Sequence, residues 1–265
     1  MIIKEGEPQL ELDLPDMNTD QTFTCWNPKL KKYEKAHWIE KTGLSPHHFL
    51  YAIIGAPSSG KTSILTSMLC AKGEKSRLYR GCFDTIYVCA SETSMRSIKG
   101  DPFGSIDSSQ FYEEFNDEFL IEMKQKVEEH SEKGEDTLIV IDDACNRLKS
   151  MSNEFCNLLM VFRHLRFSCI ILCQCPIMLS IQLRSNLSGV FLFKQSNKKR
   201  SDLIYEEYVS QLTKEEYKKF EKWVWRKKGD VLFISFKLPH RYWRNFKELT
   251  FENLTNETKI TLPQE

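Results

Sequence analysis

The sequence predicts an α/β fold, a mostly parallel sheet flanked by helices, and three observations predict it. Short, continuous apolar runs such as Thr137 to Ile141 (TLIVI) and Cys169 to Cys173 (CIILC) have the length and uniform hydrophobicity of strands buried on both faces. These runs alternate with segments of helical spacing, as parallel crossovers require. An apolar run at residues 48–54 (HFLYAII) leads through Gly55-Ala56-Pro57-Ser58-Ser59-Gly60-Lys61-Thr62 into a further helical segment. That loop fits G-x-x-x-x-G-K-[ST], the phosphate-cradling turn of P-loop nucleotide hydrolases.

Taken in order, residues 1–46 form an N-terminal extension. Its first part is acidic and interrupted by Pro8 and Pro15, and its second interleaves Trp26, Tyr33 and Trp38 with Lys29, Lys31, Lys32 and Lys35. Such a mixture suits contact with nucleic acid or another subunit, and equally a small flap packed on the same chain. The P-loop helix carries Ile64, Leu65, Met68 and Leu69 on one face and stops at Gly73. Residues 84–90 (DTIYVCA) read as a strand. A polar loop with Gly100, Pro102 and Gly104 follows, then an amphipathic helix over residues 116–132 with Phe119, Met123 and Val127 inward. After Thr137 to Ile141, Ser152 is placed to cap a helix bearing Phe155, Leu158, Leu159 and Phe162. Strands at 169–173 and 189–193 follow. Thr213-Lys214-Glu215-Glu216 is a capping box that opens a helix with Tyr217, Phe220 and Val224 inward. Residues 231–236 (VLFISF) form the last expected strand, and 249–265 a polar tail. The expected P-loop domain spans 47–248, with its core at 48–194 and a C-terminal helix and strand at 201–248.

Composition excludes several classes. The 265 residues are 41% apolar with formal net charge zero, so the chain is globular and no global field draws it to nucleic acid or membrane. Charge is nonetheless segregated: residues 101–135 hold eleven acids against three bases, and residues 198–247 hold fourteen bases against seven acids. Nine cysteines, mostly within apolar runs and without C-x-x-C spacing, read as buried thiols of a reducing compartment. The six histidines lack metal-ligand spacing. No segment has the length and apolarity of a membrane span, and the charged N-terminus does not resemble a signal peptide.

The chemistry converges at the carboxyl ends of the strands, where open α/β sheets bind ligands. Backbone N–H groups of residues 55–63 and the positive end of the P-loop helix surround phosphates, Lys61 adds a point charge and Thr62 reaches Mg²⁺. Asp142 follows four apolar residues, the Walker B arrangement, and is the expected second Mg²⁺ ligand. Asp143 is placed to orient or deprotonate an attacking water. Gln174 ends the next buried strand. A strand between the P-loop helix and the Walker B strand, the acidic pair and Gln174 indicate the RecA-like, additional-strand, catalytic-acid branch of P-loop ATPases. Asn197-Lys198-Lys199-Arg200 lacks the Asp of a GTPase base-reading motif.

The P-loop, LIVIDD, Phe162-Arg163-His164, CIILCQ and then Arg184-Ser185-Asn186 resemble, in that order, the poxvirus-type DNA-packaging ATPases of the FtsK–HerA superfamily. The resemblance covers about Phe49 to Phe193, with a weaker echo in LPHRYWRNF. It implies an ATP-driven, Mg²⁺-dependent motor. Such a motor moves double-stranded DNA into capsids as a homo-oligomeric ring, a pentamer or hexamer docked on capsid or packaging-vertex proteins. The implied setting is the host cytoplasm, the virus assembly site or the virion itself, and not a secreted one. It further implies Gln174 as a sensor of the γ-phosphate and an arginine finger acting across a subunit interface, Arg163 first and Arg184 second. Two departures fall near the finger: Phe162 stands where a small residue is usual, and the proline usual before Arg-x-Asn is replaced by Ser180 or shifted to Pro176. Lys198-Lys199-Arg200 and Arg226-Lys227-Lys228 are the candidate DNA contacts. A cellular-type translocase or helicase of the same superfamily, or a nucleotide-dependent switch in virion assembly, would carry the same residues.

Overall fold

The computed structural model describes residues 2–5, 42–46, 48–71, 78–91, 103, 106–142, 148, 152–237 and 239–252. In chain order its elements are β1 (Ile2–Glu5), β2 (Leu50–Ile54), α1 (Lys61–Cys70), β3 (Thr85–Cys89), β4 (Phe111–Tyr112) and α2 (Asp117–Glu132). There follow β5 (Thr137–Asp142), α3 (Ser152–Met160), β6 (Phe167–Cys173), α4 (Ile181–Ser185), β7 (Gly189–Phe193) and α5 (Lys198–Tyr208). The last are α6 (Lys214–Val224), β8 (Val231–Ser235), β9 (Arg241–Arg244) and β10 (Lys247–Glu252).

The ten strands of the described residues form one sheet in the order β1-β10-β9-β8-β7-β2-β6-β5-β3-β4. From β7 to β4 every pairing is parallel, and from β7 outward through β8, β9, β10 and β1 every pairing is antiparallel. The strand inserted between the P-loop strand β2 and the Walker B strand β5 is β6. This corrects the sequence argument, which rested the additional strand on residues 84–90; that segment, β3, lies on the far side of β5.

Both faces of the sheet are covered, which explains the uninterrupted hydrophobicity of β2, β5, β6 and β7. Leu50, Ala52 and Ile54 of β2 face the layer made by α2 to α6, with Phe119, Leu159, Leu183, Ile204 and Phe220 among its contacts. Tyr51 and Ile53 face α1 and the aromatic residues Tyr79, Phe83, Phe191, Phe233 and Trp243. Local signals are met where they were legible. Asn116 accepts the Phe119 amide at 2.8 Å and caps α2. The Thr213 box closes in both directions, from Glu216 N to Thr213 Oγ1 at 3.3 Å and from Thr213 N to Glu216 Oε2 at 2.8 Å.

Two expectations at the C-terminal end are corrected. Strand β8 is not the last, and residues 249–252 belong to β10, which pairs with Ile2–Glu5, so the expected polar tail and N-terminal extension both contribute to the sheet edge. Residues 6–41, including the interleaved aromatic and basic stretch, and residues 253–265 lie outside the described residues. Strand β9 is buried from Tyr242 to Arg244, and its Trp243 ring reaches back over Gly43. A Cβ there would stand 2.1 Å from Trp243 Cη2, and Gly43 has φ +75°.

At the amino ends of the strands, Asp136 ties three segments together. Its Oδ1 accepts from Arg166 Nη2 and pairs with His48 Nε2, each at 3.1 Å, and its amide donates to Asp84 Oδ2 at 2.8 Å. The seven described cysteines are free, and all but Cys82 are buried. Burial pushes the Cys89 thiol up to about 12 and raises Cys169 as well, so these thiols stay protonated and serve as small apolar groups.

Candidate active site

The phosphate loop sits where β2 ends. Gly55 N donates to Cys173 O of β6 at 3.1 Å, Ser59 N to Ala56 O at 3.2 Å, and Ile64 N to Gly60 O at 3.0 Å as α1 begins. Ser58 (φ 58°) and Gly60 (φ 110°) adopt left-handed backbone, which turns successive N–H groups inward. Gly60 provides no side-chain cap, so the first-turn amides of α1 are left for a ligand. Lys61 Nζ lies across the turn, donating to Gly55 O at 2.9 Å and Ala56 O at 3.2 Å.

The loop rests on a residue that sequence inspection passed over as core, Phe193 at the end of β7. A Cβ on Gly55 would lie 2.9 Å from Phe193 Cβ and 2.4 Å from Ser59 Oγ; one on Gly60 would meet Phe193 Cε1 at 3.3 Å. Ser59 Oγ is itself buried with no hydrogen-bond partner among the described residues, an orphan polar atom inside a cradle of amides. This donor set fits a polyphosphate. Gly55→Ala is expected to push the loop off Phe193 and raise the KM for ATP by roughly tenfold or more, the effect of the ~1–3 kcal/mol typical of overpacking. Steady-state ATP titrations of the variant check this.

The acidic and amide groups arrive by register. Asp142 of β5 pairs with Leu172 of β6, which pairs with Ile53 of β2, so Asp142 stands level with Ile53, one residue before the end of β2. Gln174 follows Cys173, the residue whose carbonyl receives the Gly55 amide, and so lies between the Asp142 strand and the loop. Asp142 and Gln174 are both half-buried. Thr62 and Ser63 occupy the first turn of α1. The oxygen ligands of Thr62 and Asp142 suit Mg²⁺ beside phosphates. Asp143 lies outside the described residues.

Neither candidate finger joins this group. Arg163 is exposed in the turn before β6, its guanidinium 5.3 Å from the Phe162 ring centre, and it lines a 550 Å³ cavity with Ser45, His48, Ser188 and Lys237. Those residues mark the amino ends of the strands, so the length of β6, roughly 20 Å, separates Arg163 from its own P-loop. Arg184 is committed within its own subunit: Nη1 donates to Leu179 O at 2.7 Å and Pro176 O at 3.2 Å, and Nη2 pairs with Glu207 at 2.8 Å.

Both basic clusters flank the P-loop edge. Lys198, Lys199 and Arg200 form the first turn of α5, just past the carboxyl end of β7. Arg226, Lys227 and Lys228 precede β8, whose Val231 pairs with Phe193. Cations at a helix N-terminus oppose its dipole, so helix stability does not account for the first cluster. Gln195, also missed by sequence inspection, is buried beside it and donates to Phe193 O at 3.2 Å.

Known structures share this fold. The genome packaging NTPase B204 of Sulfolobus turreted icosahedral virus 2 superposes with TM-score 0.56 in its sulfate complex, at 15% identity over 76% of this chain and 97% of that one. Its AMP complex gives 0.54, at 17% identity over 72% and 94%. B204 of Sulfolobus turreted icosahedral virus, described as its DNA-packaging ATPase, gives 0.51 at 16% identity over 71% and 93%. Among curated protein sequences none matches. The family model of the poxvirus A32 protein matches residues 37–215. That match takes in β2 to β7 with every strand end of the site, and the chain is a P-loop ATPase that belongs to the poxvirus A32 protein family.

Proposed function

We propose that this protein is the ATP-hydrolysing motor that moves double-stranded viral DNA into capsids, working as a homo-oligomeric ring of five or six subunits with Mg²⁺. The observation that carries the reading is the convergence of the P-loop, Asp142 and Gln174 on the ends of three adjacent strands, in a chain of the A32 family. The genome packaging NTPase B204 of Sulfolobus turreted icosahedral virus 2 lends it support at the level of fold.

In this reading the amides of residues 55–63 and Lys61 hold the phosphates, and Phe193 keeps the loop in place. Mg²⁺, held by Thr62 and Asp142, neutralises phosphate charge when bound. Asp143 orients the water and takes its proton. Gln174 occupies the strand end between the loop and Asp142, positioned to transmit the state of the γ-phosphate along β6. An arginine that stabilises the transferred phosphoryl group comes from the adjacent subunit. Arg163 suits that role better than Arg184, since it is exposed and paired with no carboxylate among the described residues, whereas Arg184 is locked to Glu207. Lys198-Lys199-Arg200, and secondarily Arg226-Lys227-Lys228, track DNA phosphates. Docking on capsid or vertex proteins and a place of action at the assembly site belong to the same reading. Among the described residues no helix is long and apolar enough to cross a membrane.

The test is ATP turnover with and without duplex DNA, at protein concentrations that bracket assembly. Duplex DNA is expected to raise turnover in a salt-sensitive manner, and specific activity is expected to rise with protein concentration. Turnover indifferent to DNA would favour a nucleotide-dependent assembly switch. Concentration-independent turnover by a monomer would remove the trans arginine.

A further inference from the structure

The five exposed large hydrophobic side chains among the described residues, Ile121, Met160, Val161, Ile177 and Ile181, all lie on the helix layer formed by α2 to α6. Three of them cluster. Ile121 of α2 is 62% exposed, and Met160 and Val161 at the end of α3 are 63% and 38% exposed. Ile121 and Val161 line a 640 Å³ groove between the two helices, floored by Leu120, Leu158 and Leu165 and rimmed by Lys124 and Glu128. The Arg163 turn continues directly from it.

Charge says what covers this groove. Helix α2 lies over β3 and β4: Tyr87 Oη meets His130 at 3.0 Å, and Tyr112 Oη donates to Glu122 at 2.7 Å. It carries six carboxylates against two lysines, a net of −4. Lys126 is turned to Glu122 (3.4 Å) and the Tyr87 ring, so the outward side of this helix around Ile121 carries exposed Asp117, Glu118, Glu128, Glu129 and Glu132 against Lys124. At the opposite end of the same layer α6 lies over β7 to β9, with Trp225 Nε1 donating to Leu192 O at 3.0 Å and Arg244 Nε to Val224 O at 2.8 Å. Two of its three glutamates are used internally, Glu216 in the cap on Thr213 and Glu221 in accepting from Ser201 at 2.7 Å. Its exposed surface is therefore Lys214, Lys218, Lys219 and Lys222, with Glu215 the one exposed acid of the helix.

We infer that the α2–α3 groove of one subunit receives the α6 helix of a second copy of this chain, making a head-to-tail contact. Aliphatic lysine stems cover Ile121 and Val161, and their ammonium groups reach the carboxylate rim. The two surfaces are different patches at opposite ends of one layer, so the contact is heterologous and repetition closes a ring or runs on as a filament. This assignment rests on the ring reading above and adds which faces meet. It also brings the Arg163 turn of one copy beside the α6 side of the next.

Charge exchange in the full-length chain, followed by analytical ultracentrifugation at low and high salt, tests the assignment. Glu118→Lys with Glu128→Lys, or Lys218→Glu with Lys222→Glu, is expected to weaken self-association roughly tenfold or more by placing like charges face to face. All four substitutions together restore association, as does mixing the two paired variants. Ile121→Asp weakens it without a matching rescue by charge. Nucleotide binding and circular dichroism report folding in every case. Association untouched by either pair, as expected if another protein fills the groove, overturns the face assignment and leaves the ring reading standing. A wild-type chain that stays monomeric at all concentrations overturns both.

Discussion

Lys61→Ala is expected to lower ATP turnover by roughly 10²–10³-fold, the loss that follows removal of one preorganised charge from a transition-state site. The two hydrogen bonds of Nζ, to Gly55 O and Ala56 O, are confined to the loop. The substitution therefore removes charge from the phosphate site without unpacking Phe193 or α1, and the melting temperature should shift by little. Parallel turnover and thermal-melt measurements separate this outcome from general destabilisation. A variant that melts early and loses turnover in proportion would show that Lys61 is structural.

Asp230→Ala is expected to have the largest effect on stability, about 3–5 kcal/mol, because it strands a buried cation. Asp230 accepts from the Lys227 amide at 2.8 Å, Arg244 Nη2 at 2.9 Å and Asn245 Nδ2 at 2.8 Å. Arg244 is 8% exposed and has Trp223 beneath it. Burial by itself raises the Asp230 carboxyl, but the hydrogen bonds from Asn245, the Lys227 amide and Arg244 outweigh it, and the net shift is downward. The folded chain thus binds fewer protons here than the unfolded one. Its contribution is present above the ordinary carboxylate range, about pH 3.9, and is lost as pH falls through the lower folded value. Urea unfolding of wild type and variant at neutral pH and near pH 3 checks both statements: the difference between them should shrink at the acid end. Replacing Asp230 and Arg244 together by apolar residues should cost less than Asp230→Ala alone.

The legible parts of this molecule were those whose signals are local. Strands β2, β5, β6 and β7 announce themselves as runs of Val, Ile, Leu and Phe because helices bury both of their faces. Asn116 and Thr213 mark helix starts because their side chains serve the adjacent amides. The P-loop, Asp142 and Gln174 could be assigned to one edge since parallel strands put all their carboxyl ends there. Long-range features were not legible. RYWR and KELTFE look like polar coil, and only pairing with β8 and β1 makes them strands. Helix α5 opens on three cations, against the usual dipole preference, so its start resembled a loop. Nothing in the sequence around Arg184 discloses Glu207, twenty-three positions later, as its partner. The identity of the inserted strand also depends on spatial order, which put β6 where chain order had suggested β3.

The pairing of Ile2–Glu5 with β10 bears on the order in which the molecule is made. Strand β1 is synthesised before the other described strands, yet its partner includes Glu252, so it waits for the chain through that residue to leave the ribosome before it can join the sheet. The parallel half from β2 to β7 has no such dependence, and its last strand ends at Phe193. The emerging chain therefore has the phosphate loop, Asp142 and the Phe193 seat while its β1, β8, β9 and β10 edge is still missing. Until β9 arrives, the face of Tyr51, Phe191 and Phe233 lacks the covering indole of Trp243. Nucleotide captured at that stage would stabilise the nascent parallel half by mass action, as any ligand does that binds folded chain alone.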